Sequence, residues 1–284
     1  MISLKSVIPE FVNFVENLAH DYEAGILKSY KYIAKKVKNT INSEVLEKID
    51  SKIPGWIEMS QFREGETLIH VICVFIALLN CDFYKNSSLD QKELLKWIVL
   101  FHDIGKKIKE RTRDYLHPFN SAVITAKILP QLGFTITNEY PVTIGNWSSF
   151  LNTASVKKKN KLIQDNRKLP KIIKQIEIMW GENTAASLII KAILFHISLE
   201  GIKDWPSPSP LTDNEIKLYI DVPLLKLLGI LMIVDSAAWN LFNPDLKEKY
   251  EKEILSELER AEELISGKNI IFTENREILH EFNW

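Results

Sequence analysis

Apolar residues between Val7 and Leu18 fall at Val7, Phe11, Phe14, Val15 and Leu18. That i, i+3, i+4 spacing builds one face of an α-helix. It continues from Glu23 to Val37 through Ile26, Leu27, Tyr30 and Ile33, until Pro54-Gly55 breaks the chain. Glu64 to Leu79 differs, because after Leu68 it is apolar on every side except at His70. Such a segment predicts a central, buried helix. Gln91 to Asp103 predicts a second one, with Gly105 placed to close it. Pro118 to Leu129 predicts a third, with Pro118 at the first helical position and Pro130 and Gly133 at the exit. Thr184 to Leu199 and Leu224 to Leu241 read as further apolar helices, and Leu246 to Ile265 as a charged outer helix. Trp205-Pro206-Ser207-Pro208-Ser209-Pro210 reads as a stiff loop and Asn269 to Phe272 as a short strand. The fold class expected is all-α.

One stretch breaks the pattern. Residues 134–182 begin with the β-branched and aromatic positions Thr135, Ile136, Thr137, Tyr140, Val142 and Ile144. A basic run follows, with Lys157, Lys158, Lys159, Lys161, Arg167, Lys168, Lys171 and Lys174 against the single acid Asp165. The stretch reads as an insertion between core helices, its charges either a solvated face or a guide for phosphate or nucleic acid. The expected organisation is a helical extension over 1–60, a core over 61–242 carrying the insertion, and a second helical extension over 243–284.

Composition narrows the class without naming an activity. The chain has 284 residues, 46% hydrophobic and 26% charged, with a formal net charge of −1. These values exclude a disordered or collagenous chain and give no global pull toward nucleic acid or anionic membrane. Two cysteines are too few for a disulfide framework, and Cys73, inside an apolar run, reads as a buried thiol. Met1-Ile2-Ser3-Leu4-Lys5 does not read as a targeting segment. The longest unbroken apolar runs, Val71 to Leu79 and Leu227 to Val234, fall short of the ~18 residues of a membrane span. A cytoplasmic protein with no membrane partner is expected.

The chemistry concentrates where polar residues interrupt apolar helices. His70 stands in Leu68-Ile69-His70-Val71-Ile72, and His102-Asp103 follows Trp97-Ile98-Val99-Leu100-Phe101. His196 follows Ala192-Ile193-Leu194-Phe195, Asp235 follows Leu231-Met232-Ile233-Val234, and His117 precedes Pro118. Burying a carboxylate alone costs several kcal/mol, so such residues need partners. Asp103 is doubly anomalous, because it lies at a helix C-terminus, where the dipole disfavours negative charge. Lys106, Lys107 or a bound cation would offset both costs. Singly, each residue has an ordinary reading: a hydrogen-bonded core histidine for His70 or His196, a lysine-paired acid for Asp235, a helix-start residue for His117. Jointly, imidazoles and carboxylates form a ligand set for a divalent transition ion. His20 and His280, near the chain ends, read as structural or surface residues.

The order His70, His102-Asp103, Asp235 resembles the H…HD…D signature of the HD-domain superfamily of metal-dependent phosphohydrolases. His102-Asp103-Ile104-Gly105-Lys106 is similar to its H-D-x-G-K form, and His117-Pro118-Phe119-Asn120-Ser121-Ala122 to the H-x-x-x-S-A segment that follows. His196 fits the last histidine of the H…HD…H…H…D variant, which is associated with two-metal sites. The resemblance spans roughly residues 63–239. A G-Y-P motif is absent, and no nucleotidyltransferase, helicase or synthetase domain accompanies the HD-like part.

The resemblance implies that His70, His102, Asp103 and Asp235 hold one divalent ion and that His117 and His196, with Asp103 as a bridge, hold a second. The ion would be Mn, Fe, Mg, Ni, Co or Zn. It implies hydrolysis of a phosphomonoester or phosphodiester, the substrate being a phosphorylated small molecule or nucleic acid. Asp103 and Lys106 are the expected catalytic residues, with Lys106 stabilising negative charge in the transition state. Ser121 and Asn120 are open to substrate binding or to local bonding at the helix start. Two alternatives remain: a stand-alone nuclease on single strands using the basic insertion, and a nucleotide-binding regulatory module without turnover.

Overall fold

In the computed structural model the described residues are 1–61, 65–106, 115–135, 155–158 and 161–267. The protein is all-α, with fourteen helices and one short hairpin among the described residues. Five helices build the N-terminal part: α1 (Leu4–Val7), α2 (Pro9–Glu23), α3 (Tyr30–Thr40), α4 (Ser43–Lys52) and α5 (Trp56–Gln61). Then come α6 (Glu66–Leu79), α7 (Asp82–Lys85), α8 (Leu89–Phe101) and α9 (His117–Ile128). The hairpin pairs β1 (Ser155–Lys158) with β2 (Lys161–Gln164), antiparallel, with Val156 opposite Ile163. After it follow α10 (Leu169–Trp180), α11 (Ala185–Phe195), α12 (Asp213–Tyr219), α13 (Val222–Trp239) and α14 (Pro244–Ser266).

Helices α6, α8, α11 and α13 form the centre. Helices α6, α11 and α13 are apolar nearly all round, α6 being buried from Val71 through Leu78, whereas α8 keeps a polar side at Asp90, Lys92, Glu93 and Lys96. Three of the four begin at a side-chain cap. A Ser88–Gln91 capping box opens α8, Thr184 Oγ1 accepts from Ser187 N at 3.2 Å to open α11, and Asp221 Oδ1 accepts from Leu224 N at 2.8 Å to open α13. Around this centre, α2 and α5 lie on α6, α9 and α10 on α11, and α14 on α13. Buried residues from Leu4 to Ala261 form one continuous hydrophobic cluster. The N-terminal part is also tied on by polar links. Tyr30 Oη donates to Ala238 O and accepts from Leu241 N, both at 2.9 Å, and Trp97 Nε1 donates to Ile2 O at 2.8 Å.

Several expectations change. The segment from Glu23 to Val37 is not one helix: α2 stops at Glu23, Gly25 takes a φ of 70°, and α3 starts at Tyr30 behind the Ser29 cap. Within the insertion the last described element is a helix not expected from the sequence, α10, which buries Leu169, Ile172, Ile173, Ile176, Met179 and Trp180 against the core. Its i, i+3, i+4 spacing was masked by the surrounding lysines. Lys171 and Lys174 sit on the exposed side of that helix, and Arg167 is paired with Asp165. Helix α8 ends at Phe101, two residues earlier than expected. The apolar-run count also missed that α13, with its interruptions, is long and apolar enough to cross a membrane; 72% of it is buried inside the bundle. Lys107, Lys159, Asn269 to Phe272, His280 and the side chains of Lys157, Lys158 and Lys161 lie outside the described part of the chain.

Candidate metal centre

One end of the central bundle gathers the polar residues. His102 caps the C-terminus of α8, His196 caps the C-terminus of α11, and Asp235 lies one turn before the end of α13. His70 comes from the first turns of α6, and His117 opens α9. Helix C-termini carry partial negative charge, so three such ends aimed at one place favour a cation there. All six side chains named from the sequence are brought together, although they span residues 70 to 235.

They form two sets. His70, His102 and Asp235 make one, Asp103, His117 and His196 the other, and within each set the ligand atoms lie within 4.8 Å of one another. His70 Nε2 is 2.8 Å from Asp235 Oδ1, and His117 Nε2 is 3.0 Å from His196 Nε2. Asp103 stands between the sets. Its Oδ2 is 3.6 Å from His70 Nε2 and 3.4 Å from His102 Nε2, and its Oδ1 is 3.4 Å from His117 Nε2. Nitrogen and oxygen atoms bound to one ion at ~2.1 Å lie roughly 3–4 Å apart, and the separations here are of that size.

Hydrogen bonds to backbone carbonyls fix two of the rings. His102 Nδ1 donates to Val99 O at 2.8 Å and His196 Nδ1 to Ile193 O at 2.7 Å. In the neutral tautomer each Nε2 therefore turns its lone pair into the site. His102 Nε2 and Asp103 Oδ1, both buried, have no hydrogen-bond partner. Lone pairs and carboxylate oxygens converging in a buried space repel unless something positive lies among them. This is the observation that fits a metal to the residues present.

The charges agree. Asp103 is 1% exposed; burial acts to raise its carboxyl, but Lys106, His102, His117 and His70 outweigh it and hold it well below the usual range. Asp235 behaves likewise: burial raises it, and the hydrogen bond and charge of His70 pull it down further. Burial, with His102 adding to it, pushes His196 down to about 4, so it is a neutral ligand at neutral pH. The Lys106 ammonium donates to Asp103 Oδ2.

Gly105 brings the His102-Asp103 corner onto α9. Its φ is not left-handed, so it does not close α8 as expected. It is glycine because a Cβ would lie 2.3 Å from Ser121 N and 2.6 Å from the Asn120 carbonyl carbon. Gly105 N donates to Ser121 Oγ at 2.9 Å, a bond that locks this corner. Sequence reasoning missed Trp239, which stacks on His70 with ring centroids 4.4 Å apart. Its position one turn after Asp235 on the same helix was the available signal. His20 is exposed at the end of α2, away from the set.

Comparison with family models, curated proteins and solved structures gives no match for this chain. What the chain carries, on its own residues, is an all-α bundle with two buried His/Asp groups able to hold metal.

Proposed function

We propose that the protein is a metal-dependent phosphohydrolase acting on a phosphomonoester or phosphodiester. The observation that carries this reading is the placement of Asp103 between two ligand sets, one oxygen toward each side. The ordered resemblance to HD-domain phosphohydrolases supports it from the sequence side.

A divalent ion held by these residues would lower the pKa of bound water and draw charge from phosphoryl oxygens. The chain supplies the rest. Neutral His196 and the carboxylates of Asp103 and Asp235 are in ligand form at neutral pH without losing a proton. The carbonyls of Val99 and Ile193 hold His102 and His196 in one orientation. Lys106 keeps one donor on Asp103 and has others for a phosphoryl oxygen. Asp235, with a side chain 27% exposed, marks the open side from which an ester arrives.

The test is elemental analysis of purified wild type and Asp103→Ala, followed by a phosphatase and phosphodiesterase panel with Mn²⁺. Metal in the wild type, its loss in the variant, and turnover of a phosphoester support the reading. Equal, negligible metal in both proteins overturns it. Metal without turnover across a broad nucleotide panel favours a binding module, and cleavage confined to single-stranded polynucleotide favours a nuclease.

A further inference from the structure

A cleft with about 160 Å³ of free space opens beside Asp235, His117 and His196. Those three residues form its floor; Ile202, Trp205, Pro206, Pro208, Met232 and Trp239 form most of its walls, with the hydroxyl-bearing Tyr115, Ser207 and Ser236 among them. Among the described residues, no lysine or arginine lines it, and Asp235 is its sole acid. We propose that this cleft receives the organic substituent of the substrate, a single uncharged planar ring, while the phosphoryl group sits against the ligand set. The inference rests on the phosphohydrolase reading above and adds a substrate class to it.

Two indole rings carry the argument. Trp239 and Trp205 are 44% and 43% exposed, whereas the other described tryptophans, Trp56, Trp97 and Trp180, are fully buried. Trp239 uses one ring face on His70, which fixes it beside the ligands. Indole surface left open in a concave site beside polar groups is the usual makeup of a ligand pocket. Aromatic rings prefer offset or edge contacts with another ring, which adds to the gain from burial.

Size and stiffness point the same way. A closed apolar cavity of ~150 Å³ holds one benzene ring, and this cleft has about the same space. The wall carrying Trp205 is already in place. Ser207 Oγ donates to Ile197 O at 2.6 Å, Ser209 Oγ to Gln164 O at 2.8 Å, and Leu211 N to Ser198 O at 2.9 Å. Gly201 packs closely on Met232 and Ile254, where a Cβ would meet Met232 Cε at 2.8 Å and Ile254 Cγ1 at 3.2 Å. A pre-formed wall spares the cost of ordering it on binding. A polynucleotide would instead ask for cations along its track.

The experiment uses the full chain loaded with Mn²⁺ and two phosphonates whose P–C bond resists hydrolysis. Benzylphosphonate binds about tenfold more tightly than ethylphosphonate by calorimetry. Trp205→Ala removes most of that ratio, and Trp205→Phe keeps it. Equal affinities, or a ratio unchanged in Trp205→Ala, overturn the proposal. Hydrolysis of benzyl and ethyl phosphate completes the test. Equal turnover of both with no binding preference removes the ring pocket and leaves the phosphohydrolase. A binding preference with no turnover of any ester keeps the pocket and removes the hydrolase.

Discussion

The Nε2 atoms of His117 and His196 face each other at 3.0 Å, although 79 residues separate them. Without a cation one of them must carry a proton toward the other. A cation there would be held by His117 and His196 together with Asp103, whose Oδ1 is 3.4 Å from His117 Nε2. The wild type is therefore expected to take up two equivalents of Mn²⁺. His196→Ala lowers that to one, and Asp103→Ala lowers it further, because Asp103 belongs to one set and its Oδ2 lies 3.6 Å and 3.4 Å from His70 and His102 of the other. Metal analysis after desalting, with circular dichroism to confirm folding, checks this. Equal stoichiometry in wild type and His196→Ala would count against two separate sets.

Metal should also raise stability. Binding to the folded state alone adds about 2.7 kcal/mol when the free ion is at ~100 times its dissociation constant. The melting temperature rises with Mn²⁺ in the wild type and responds far less in Asp103→Ala. A wild-type melting curve indifferent to both Mn²⁺ and chelator contradicts the expectation.

Gly105→Ala places a methyl group on the backbone of α9 at Asn120 and Ser121. Overpacking of this kind costs about 1–3 kcal/mol, and the shift moves His102 and Asp103 relative to His117. Ser121→Ala leaves Gly105 N buried without its acceptor, at a cost of about 1–3 kcal/mol. Urea unfolding measures both. Gly105→Ala is expected to weaken Mn²⁺ uptake as well, and a fully stable Gly105→Ala protein would refute the close packing.

Metal-free protein loses stability as pH falls. Burial, with His102, holds His196 at about 4 in the folded state, below the ~6.5 of an unfolded histidine. Between those values the unfolded chain takes up a proton that the folded chain refuses, so folding weakens from pH 6.5 downward. The depressed carboxyls of Asp103 and Asp235 act with the same sign, below about pH 4. Melting temperatures in chelator from pH 7.5 to 4.5 should fall, and His196→Gln should flatten the upper part of the decline. A temperature that rises toward acid would reverse the sign.

Tyr30→Phe removes a hydroxyl that serves Ala238 O and Leu241 N at the end of α13. A loss of about 1–2 kcal/mol is expected in urea unfolding. The same end of α13 carries Trp239, so the stacking on His70 loosens and indole fluorescence changes. An unchanged unfolding curve would mean that the hydroxyl is replaced by water at no cost.

The central helices were legible in the sequence because their apolar residues leave no doubt about burial. Glu66–Leu79 and Val222–Trp239 lie close to where the pattern put them. The members of the two His/Asp groups were legible for the complementary reason: His70 and Asp235 interrupt runs where a polar group costs several kcal/mol. Amphipathic segments fared worse. The break at Gly25 and the helix Leu169–Trp180 depend on caps and neighbours that a residue pattern under-determines.

Residue order alone determined that this chain is helical and that six polar side chains must find company inside apolar surroundings. It could not decide which of them meet. The approach of Gly105 to Ser121, the two-sided position of Asp103 and the stacking of Trp239 on His70 follow from how helices far apart in sequence dock. Docking is set by side-chain volumes summed over the whole core, whereas periodicity reports only which face of one helix is apolar.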